Sequence, residues 1–396
     1  MPSKHDTTLQ ALPETGFVFW PVGTGDSTSL CVDKDTIVQV DLHQVSDAED
    51  DDNPHAAIVQ ELVELLPKRD GKPYLAVFAL THPDQDHCRG FSELLDKVQI
   101  GELWFTPRVF REYKKDLCDD AVTFHNEARR RLKATIKAGR QPSSGDRVRI
   151  VGYDDLLEED DFKGFPEELL TIPGEEITKL DGEDVSDSFR AFIHAPFKDD
   201  SYGERNDASL AMQVTLEIAG AKGSALLFGD LCYPTIRRIF DKSAEDDLIW
   251  NVMLAAHHCS KSVMYWADGD EEESLRNDIL EDMEKAAGNP GYIVASSGPI
   301  PSSNKKGDNP PHAKAKNRYL EIVPNQFLCT QEYPDEEDPS PIVFEFDDGG
   351  FHLIGEDGGN GDSDRGKGGG SLSGAVAAAR GGSGPPKERV GFGFAT

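Results

Sequence analysis

A predicted buried strand that ends in a cluster of metal-binding side chains constrains this chain more than any other feature. The apolar residues 74–80 are followed at once by Thr81-His82-Pro83-Asp84-Gln85-Asp86-His87. Side chains two residues apart share one side of an extended turn, so two imidazoles and two carboxylates crowd together. They would repel one another or titrate unless cations lay among them. This predicts a metal site; the alternative is a polar loop that is merely rich in Asp and His.

Further motifs lie on both sides of this cluster in the chain. They are FVFWPVGTGDS at 17–27, Asp41 after the strand 36–40, NDASL at 206–210, Asp230 after the apolar strand 224–228, and MLAAHHCSKS at 253–262. Together they resemble the metallo-β-lactamase superfamily, with Asp84 where its H-x-H-x-D-H signature usually has a second His. The GDS, NDASL and HHCSKS segments are similar to motifs of the ComEC-like branch, the soluble domain of bacterial competence DNA-channel proteins.

The resemblance covers residues 17–355 and implies an α/β fold in four layers (αββα), two packed mixed sheets flanked by helices. Residues 103–190 would be an insertion that caps the cleft and sets substrate choice. Residues 1–16 are expected to be an N-terminal arm. Residues 356–396 are expected to be a flexible Gly-rich tail, whose aromatic C-terminal peptide either docks on a protein partner or has no role.

The resemblance also implies a site for two divalent metal ions. Its ligands would be His82, Asp84, Asn206, Asp230 as the bridge, Asp86, His87, and one of His257 and His258. Related motifs place the ligand in the second position of the pair, which favours His258. Asp84 and Asn206 supply oxygen where the family usually has nitrogen, which moves the metal preference from zinc toward manganese or magnesium. The family usually binds zinc, so the expected ions are Mn²⁺ or Zn²⁺, and the oxygen donors favour manganese.

Two such ions would share a bridging hydroxide and clamp both oxygens of an in-line displacement. Asp86 counts as a catalytic residue as well as a ligand. The general acid stays open: His312 resembles a late His motif of the branch, whereas Lys261 and Ser260 could steady a developing oxyanion. Cys259 stands where the branch usually has Gly, either as a buried spectator or as an occasional soft ligand.

The charge distribution bears on the substrate. The net charge of −32 disfavours nucleic acid, but residues 108–149 hold twelve Lys or Arg against six Asp or Glu. Within them, residues 121–137 read as a helix that stops near Gly139 and carries Arg129, Arg130 and Arg131. These arginines either guide an anionic substrate to the metals or balance the acidic residues 154–161.

The remaining composition fits a cytoplasmic enzyme. The six cysteines are scattered without a pairing pattern, and the sequence leads us to expect neither a signal peptide nor a membrane-spanning run. The leading hypothesis is a dinuclear phosphodiesterase or nuclease. The alternatives are a hydrolase of a small phosphodiester, nucleotide or ester, and a partner-binding module with weak or no turnover.

Overall fold

Parallel strands that are apolar on both faces form the centre of the first large sheet. The first nine strands are β1 (Gly16–Phe19), β2 (Thr28–Asp33), β3 (Thr36–Val40), β4 (Leu42–His43), β5 (Lys68–Arg69), β6 (Lys72–Leu80), β7 (Gln99–Phe105), β8 (Arg147–Val151) and β9 (Leu170–Thr171). Strands β1, β2 and β3 pair antiparallel, and β3, β6, β7, β8 and β9 continue in parallel. The buried run of β6 therefore lies mid-sheet, as its composition predicts.

The second large sheet comes from the C-terminal half of the chain. The remaining strands are β10 (Glu176–Ile177), β11 (Lys179–Leu180), β12 (Glu183–Asp184), β13 (Phe189–Ala195), β14 (Ala211–Ile218), β15 (Ala221–Leu227), β16 (Trp250–Leu254), β17 (Tyr265–Trp266), β18 (Ser274–Leu275), β19 (Ala287–Ala295), β20 (Phe327–Cys329), β21 (Ile342–Asp347) and β22 (Gly350–Ile354). Its order is β10-β13-β14-β15-β16-β19-β20. Strands β21 and β22 return to the first sheet, where β21 pairs with β1. Each sheet contains both antiparallel and parallel strand pairs, so both sheets are mixed.

Helices cover the outer face of each sheet. They are α1 (Ile58–Leu65), α2 (Gln85–Cys88), α3 (Phe91–Lys97), α4 (Asp119–Ala138), α5 (Tyr233–Lys242), α6 (Ala256–Cys259), α7 (Asn277–Ala286) and α8 (Ala313–Ile322). One apolar cluster joins the first sheet to α1, α3 and α4, a second joins the two sheets, and a third joins the second sheet to α5, α7 and α8. Three clusters between four layers confirm the predicted αββα architecture.

Alternation along the strands explains this layering. In β1, Phe17 and Phe19 enter the cluster between the sheets, whereas Val18 lies in the cluster beneath the helices. In β15, Ala225 faces the other sheet and Leu226 faces the helices. Because successive side chains point to opposite faces, a strand apolar at every position must be covered on both sides.

The structure is a computed structural model that describes residues 9–46, 48–49, 53–111, 117–139, 142–199, 206–269 and 272–354. The predicted tail 356–396 and residues 1–8 of the predicted arm lie outside this range. From the rest of that arm, Leu9 and Leu12 pack against the first sheet's helix-side cluster. No helix within the described ranges has both the length and the apolar character to span a bilayer.

The segment 103–190, expected as a cap, contributes several elements to the first sheet and its helical layer. It supplies the end of β7, the whole of α4, and strands β8 and β9. Helix α4 ends at Ala138 with Gly139 as its C-cap at φ 72°, which confirms the predicted helix and its stop.

Candidate metal centre

The strand ends of the first sheet position His87. Asp41 follows β3 and Thr81 follows β6, and these parallel strands are neighbours. The Asp41 carboxylate accepts hydrogen bonds from the Thr81 backbone N–H (2.8 Å), from the Thr81 hydroxyl (2.7 Å) and from His87 Nδ1 (2.8 Å). Since Nδ1 donates to Asp41, the lone pair of His87 Nε2 faces away from it, toward the second sheet.

His82 lies beside His87 with its ring centroid 4.1 Å away. Its Nδ1 faces the hydroxyls of Thr81 (3.1 Å) and Ser209 (3.3 Å). Its Nε2 lies 3.6 Å from an oxygen of Asp84, the residue that precedes α2. The predicted metal loop therefore turns both imidazoles inward.

Asp230, which follows β15, divides the cluster into two groups of donors. Its Oδ2 lies 3.8 Å from His82 Nε2 and 3.6 Å from His257 Nε2. Its Oδ1 lies 3.3 Å from His87 Nε2 and 3.4 Å from His258 Nε2. Ligands about 2.1 Å from one ion at octahedral to tetrahedral angles are roughly 3.0–3.5 Å apart, so each oxygen faces a group with nearly the spacing of a single ion's shell.

The remaining predicted ligands extend these two groups. Asp86 Oδ2 lies 3.3 Å from His258 Nε2, on the Oδ1 side of the bridge. Asn206 Nδ2 lies 3.5 Å from His257 Nε2, on the Oδ2 side. All eight predicted metal-binding residues therefore meet in one place, with His257 and His258 in different groups.

A left-handed turn separates the two adjacent histidines. His257, His258 and Cys259 have φ values of 51°, 52° and 63°, which cost side-chain-bearing residues about 1 kcal/mol each. The turn places the His257 and His258 rings at 80° to each other. One short segment thus serves both oxygens of Asp230, and the strain is held by the surrounding fold.

Asp26 is a site residue to which the motifs gave no role. Its Oδ1 lies 3.3 Å from His258 Nδ1, which also lies 3.1 Å from the Ser296 carbonyl. Asp26, His87, Asp230 and His258 offer donor atoms within 4.8 Å of one another. However, Asp26 faces the Nδ1 edge of the rings and Asp230 the Nε2 edge, so Asp26 orients His258 from behind. The signal was present in the Gly25-Asp26-Ser27 segment.

The donor atoms at the centre fit a cation. Among the described residues, Nε2 of His82, His87 and His258 and Oδ1 of Asp230 are buried and make no hydrogen bond. Buried polar atoms without partners cost about 1–3 kcal/mol each. Four such atoms around the Asp230 carboxylate, with imidazole and carboxylate chemistry, match the kinds of donor that bind divalent metal ions.

The electrostatics lead to the same conclusion. Burial alone would raise the pKa of Asp230, but His258 and His87 outweigh it and hold that pKa well below its ordinary value. Burial would lower the pKa of His87, but Asp230 and Asp41 raise it well above the ordinary value. Without metal, the carboxylates of the cluster are therefore neutralised by imidazolium protons, which a divalent cation can replace.

The candidate acid and oxyanion residues lie behind the His257–Cys259 turn. His312 Nδ1 accepts from the Lys261 backbone N–H (3.3 Å), and its Nε2 donates to the Asp308 carbonyl (3.1 Å). The Lys261 ammonium pairs with Glu273 at 2.5 Å. The Ser260 hydroxyl lies 2.9 Å from that of Ser262. Each group is thus engaged in this structure, and His312 fastens the backbone that follows the ligand turn.

The three candidate substrate-binding arginines also have acidic partners. Arg129 pairs with Asp161 (2.7 Å), within the acidic segment 154–161, and Arg130 pairs with Glu127 (2.8 Å). Arg131 is buried and donates to Glu127 and to two backbone carbonyls.

Cys259 packs in the third apolar cluster, where burial raises the pKa of its thiol, as expected of a buried spectator.

No protein-family profile and no curated protein matches this sequence. Among solved structures, a diphosphatase described as from the PhnP family has 9% identity and a TM-score of 0.35, over 82% of this chain and 85% of its own. Metallo-β-lactamase SMB-1 bound to 2-mercaptoethanesulfonate has 12% identity and a TM-score of 0.29, over 61% and 78%. An archaeal metallo-β-lactamase superfamily protein from Sulfolobus tokodaii has 11% and 0.30, over 78% and 97%. Because these sequence identities and TM-scores are low, the assignment of the fold rests on the strand order and the layers described above.

Proposed function

We propose that this protein is a metal-dependent hydrolase of phosphodiesters that uses two divalent ions. The observation that carries the proposal is the convergence of buried, unbonded donor atoms on the two oxygens of Asp230. A structural metal site is usually closed by four protein ligands, whereas Asp84 and Asp86 here are 27% and 37% exposed. A partly open, two-group centre is suited to catalysis.

The two donor groups define which residues would hold each ion. His82, Asp84 and His257 would serve the first ion, with Asn206 beside them, and Asp86, His87 and His258 would serve the second. Asp230 would bind both. When bound, such ions lower the pKa of a water molecule and offset the charge of a phosphoryl group.

The chain's own residues supply orientation. Asp41 holds the His87 ring by accepting from Nδ1, and Asp26 and the Ser296 carbonyl hold the His258 ring in the same way. Fixing the Nδ1 proton leaves both Nε2 lone pairs directed at the centre. His312 keeps the backbone after the ligand turn in place through Lys261.

The donor chemistry favours phosphodiesters over amides. Asp84, Asp86 and Asp230 give the centre three carboxylates, and the Asn206 amide stands beside His257. Oxygen-rich sites prefer Mn²⁺ or Mg²⁺, the ions most often matched with phosphate oxygens. Manganese is therefore the first ion to test.

The ion pairs of α4 favour a small phosphodiester over a polynucleotide. Arg129 and Arg130 are paired with carboxylates, and Arg131 is buried. With a net charge of −32, the protein would repel a long phosphate backbone unless some cationic surface were free to bind it. A nuclease is the second candidate, on the strength of the ComEC-like motifs.

Metal analysis coupled to an activity screen tests the proposal. The protein loaded with Mn²⁺ should hydrolyse bis-p-nitrophenyl phosphate, and Asp86→Ala should lose at least about 100-fold in rate. Asp96→Ala, an exposed carboxylate on α3, is the matched control. Cleavage of single- or double-stranded DNA would restore the nuclease assignment. Metal binding without turnover would favour a partner-binding module, and an absence of both would refute the proposal.

A further inference from the structure

Two cysteine thiols touch beside the metal loop. Cys88 Sγ and Cys118 Sγ are 3.7 Å apart although 30 residues separate them in the chain. Cys88 is the last residue of α2 and directly follows His87, whereas Cys118 is the N-cap of α4. A disulfide is about 2.05 Å long, so the two sulfurs would have to approach by roughly 1.7 Å to bond.

The surroundings of Cys118 favour a reactive thiolate. Its sulfur lies within hydrogen-bond distance of the Cys88 thiol and accepts a hydrogen bond from the Ala121 backbone N–H at 3.5 Å, at the positive end of a 20-residue helix. These contacts, the Cys88 hydrogen bond foremost, lower the pKa of Cys118 to about 6. The side chain is also partly exposed. A thiolate that solvent can reach is the form that attacks oxidants.

Cys88 has the opposite character. It is fully buried, and its single S–H can be donated either to Cys118 Sγ or to the Asp84 carbonyl, which lies 3.1 Å from the Cys88 sulfur. One exposed thiolate in contact with one buried thiol is the arrangement of an attacking cysteine and its resolving partner.

The other four cysteines lack this arrangement. Cys31, Cys259 and Cys329 are buried, and burial raises the pKa of each thiol. Burial also raises the pKa of Cys232 to about 11. Thiols that stay protonated react slowly, so oxidation should select Cys118.

We propose that Cys118 is a peroxide-sensitive site that forms a reversible disulfide with Cys88. The Cys118 thiolate would attack one oxygen of a hydroperoxide and break the O–O bond, giving a sulfenic acid and releasing hydroxide or alkoxide. The Cys88 sulfur would then attack the Cys118 sulfur. The S–S bond forms as the sulfenic oxygen leaves with the Cys88 proton as water. Two thiols are oxidised and one peroxide is reduced.

The disulfide would alter the metal loop. Asp120, two residues after Cys118, accepts from the backbone N–H groups of Gly90 and Ser92, so the start of α4 already grips the segment after α2. Oxidation would remove the Cys88 S–H near the Asp84 carbonyl and tie α4 covalently to the helix that carries Asp86 and His87. The proposal does not depend on hydrolytic activity.

Peroxide titration of the full chain, followed by alkylation and peptide mass spectrometry, tests the site. We expect a species lighter by two hydrogen atoms, with residues 88 and 118 in one cross-linked peptide that dithiothreitol separates. At pH 7, a thiol with a pKa of about 6 is mostly thiolate, whereas an ordinary free thiol with a pKa near 8.5 is only about 3% thiolate, so Cys118 should react up to roughly 30-fold faster.

Serine variants separate the two roles. Cys88→Ser should accumulate a Cys118 sulfenic acid that dimedone labels, Cys118→Ser should give neither label nor cross-link, and Cys232→Ser should still cross-link. The proposal is overturned if Cys118 stays reduced when free cysteine is fully oxidised, or if it pairs with another cysteine. The wild-type titration decides this even if a variant fails to fold.

Discussion

Asp41 Oδ2 and His87 Nδ1 are joined by a 2.8 Å hydrogen bond across two adjacent strand ends of the first sheet. Asp41 is fully buried and also accepts both Thr81 donors, so its carboxylate has no freedom to turn. The orientation of one candidate ligand is therefore fixed by a residue 46 positions earlier in the chain.

Asp41→Asn should weaken Mn²⁺ binding by about 10- to 100-fold. An amide accepts hydrogen bonds only at its oxygen, because its nitrogen is a donor. The Asn side chain therefore cannot accept from His87 and from both Thr81 donors together, and the His87 ring loses its fixed tautomer. Isothermal titration with Mn²⁺ measures the effect. Asp33→Asn, at the partly exposed end of β2, is the control. Equal affinities in the two variants would show that Asp41 does not orient the ligand.

Gly25→Ala should also lower metal affinity, through steric contact. A Cβ at Gly25 would lie 2.8 Å from the Asp86 carbonyl oxygen and closer still to the His43 ring. The loop would have to shift, and with it Asp26, whose N–H donates to that same carbonyl at 3.0 Å. We expect a loss of roughly tenfold or more.

Gly298→Ala is the control for this change, because its Cβ would meet Thr24 Oγ1 at 3.4 Å and no other atom of the described residues within 4 Å. The same titration compares the two variants. If both bind Mn²⁺ as the parent does, the close approach of the Gly25 loop has no part in the site.

Arg131→Ala should destabilise the fold by about 3 kcal/mol. Its guanidinium donates to the carbonyls of Gly101 (3.1 Å) and Ile100 (3.0 Å) in a buried position, and truncation would leave these groups without their donors. Arg130→Ala, at a half-exposed side chain, should cost less than about 1 kcal/mol. Urea unfolding distinguishes them, and equal small losses would contradict a structural role for Arg131.

His194 should make the protein less stable in acid. Its Nε2 donates to the Asp247 carbonyl (3.0 Å), its Nδ1 accepts from the Ser243 hydroxyl (2.9 Å), and burial lowers its pKa to about 4. The unfolded chain, with a pKa near 6.5, binds the proton first. Stability is therefore complete above pH 6.5 and is lost as the pH falls toward 4, by up to roughly 3 kcal/mol.

Urea unfolding of His194→Gln at pH 7 and pH 4.5 tests this dependence. The variant should lose about 2–3 kcal/mol less than the parent between the two pH values. Exposed His352→Gln should behave like the parent. Parallel losses in all three proteins would assign the acid sensitivity to other groups.

The architecture was predictable because it depends on local patterns. The apolar residues 74–80 followed by donors mark a strand and its end, and Gly139 marks the end of α4. The spacing of apolar residues in α4 also predicts which of its side chains are buried. Arg131 falls on the same face as Phe124, Ala128 and Thr135, all buried, so the phase of the helix predicts its burial.

The site was only partly predictable, since its contacts join distant segments. The motifs suggested Asp230 as a bridge, but which histidine faces which oxygen depends on the left-handed turn at 257–259. Three consecutive non-glycine residues with positive φ have no sequence signature. Likewise, the contact of Cys118 with Cys88 arises from the packing of α4 against α2, and spacing alone does not reveal it.

The donor atoms around Asp230 come from both halves of the chain: His82 and His87 follow β6 of the first sheet, while Asp230 and His258 follow β15 and β16 of the second. Neither sheet alone contains a complete group. An ion held there would be bound by residues from both sheets. It would add RT ln(1 + [M]/Kd) to the free energy of unfolding, where [M] is the free metal concentration and Kd is the dissociation constant of the metal. Chelation would then lower the melting temperature of the whole protein, so thermal stability can report metal occupancy before any substrate is known.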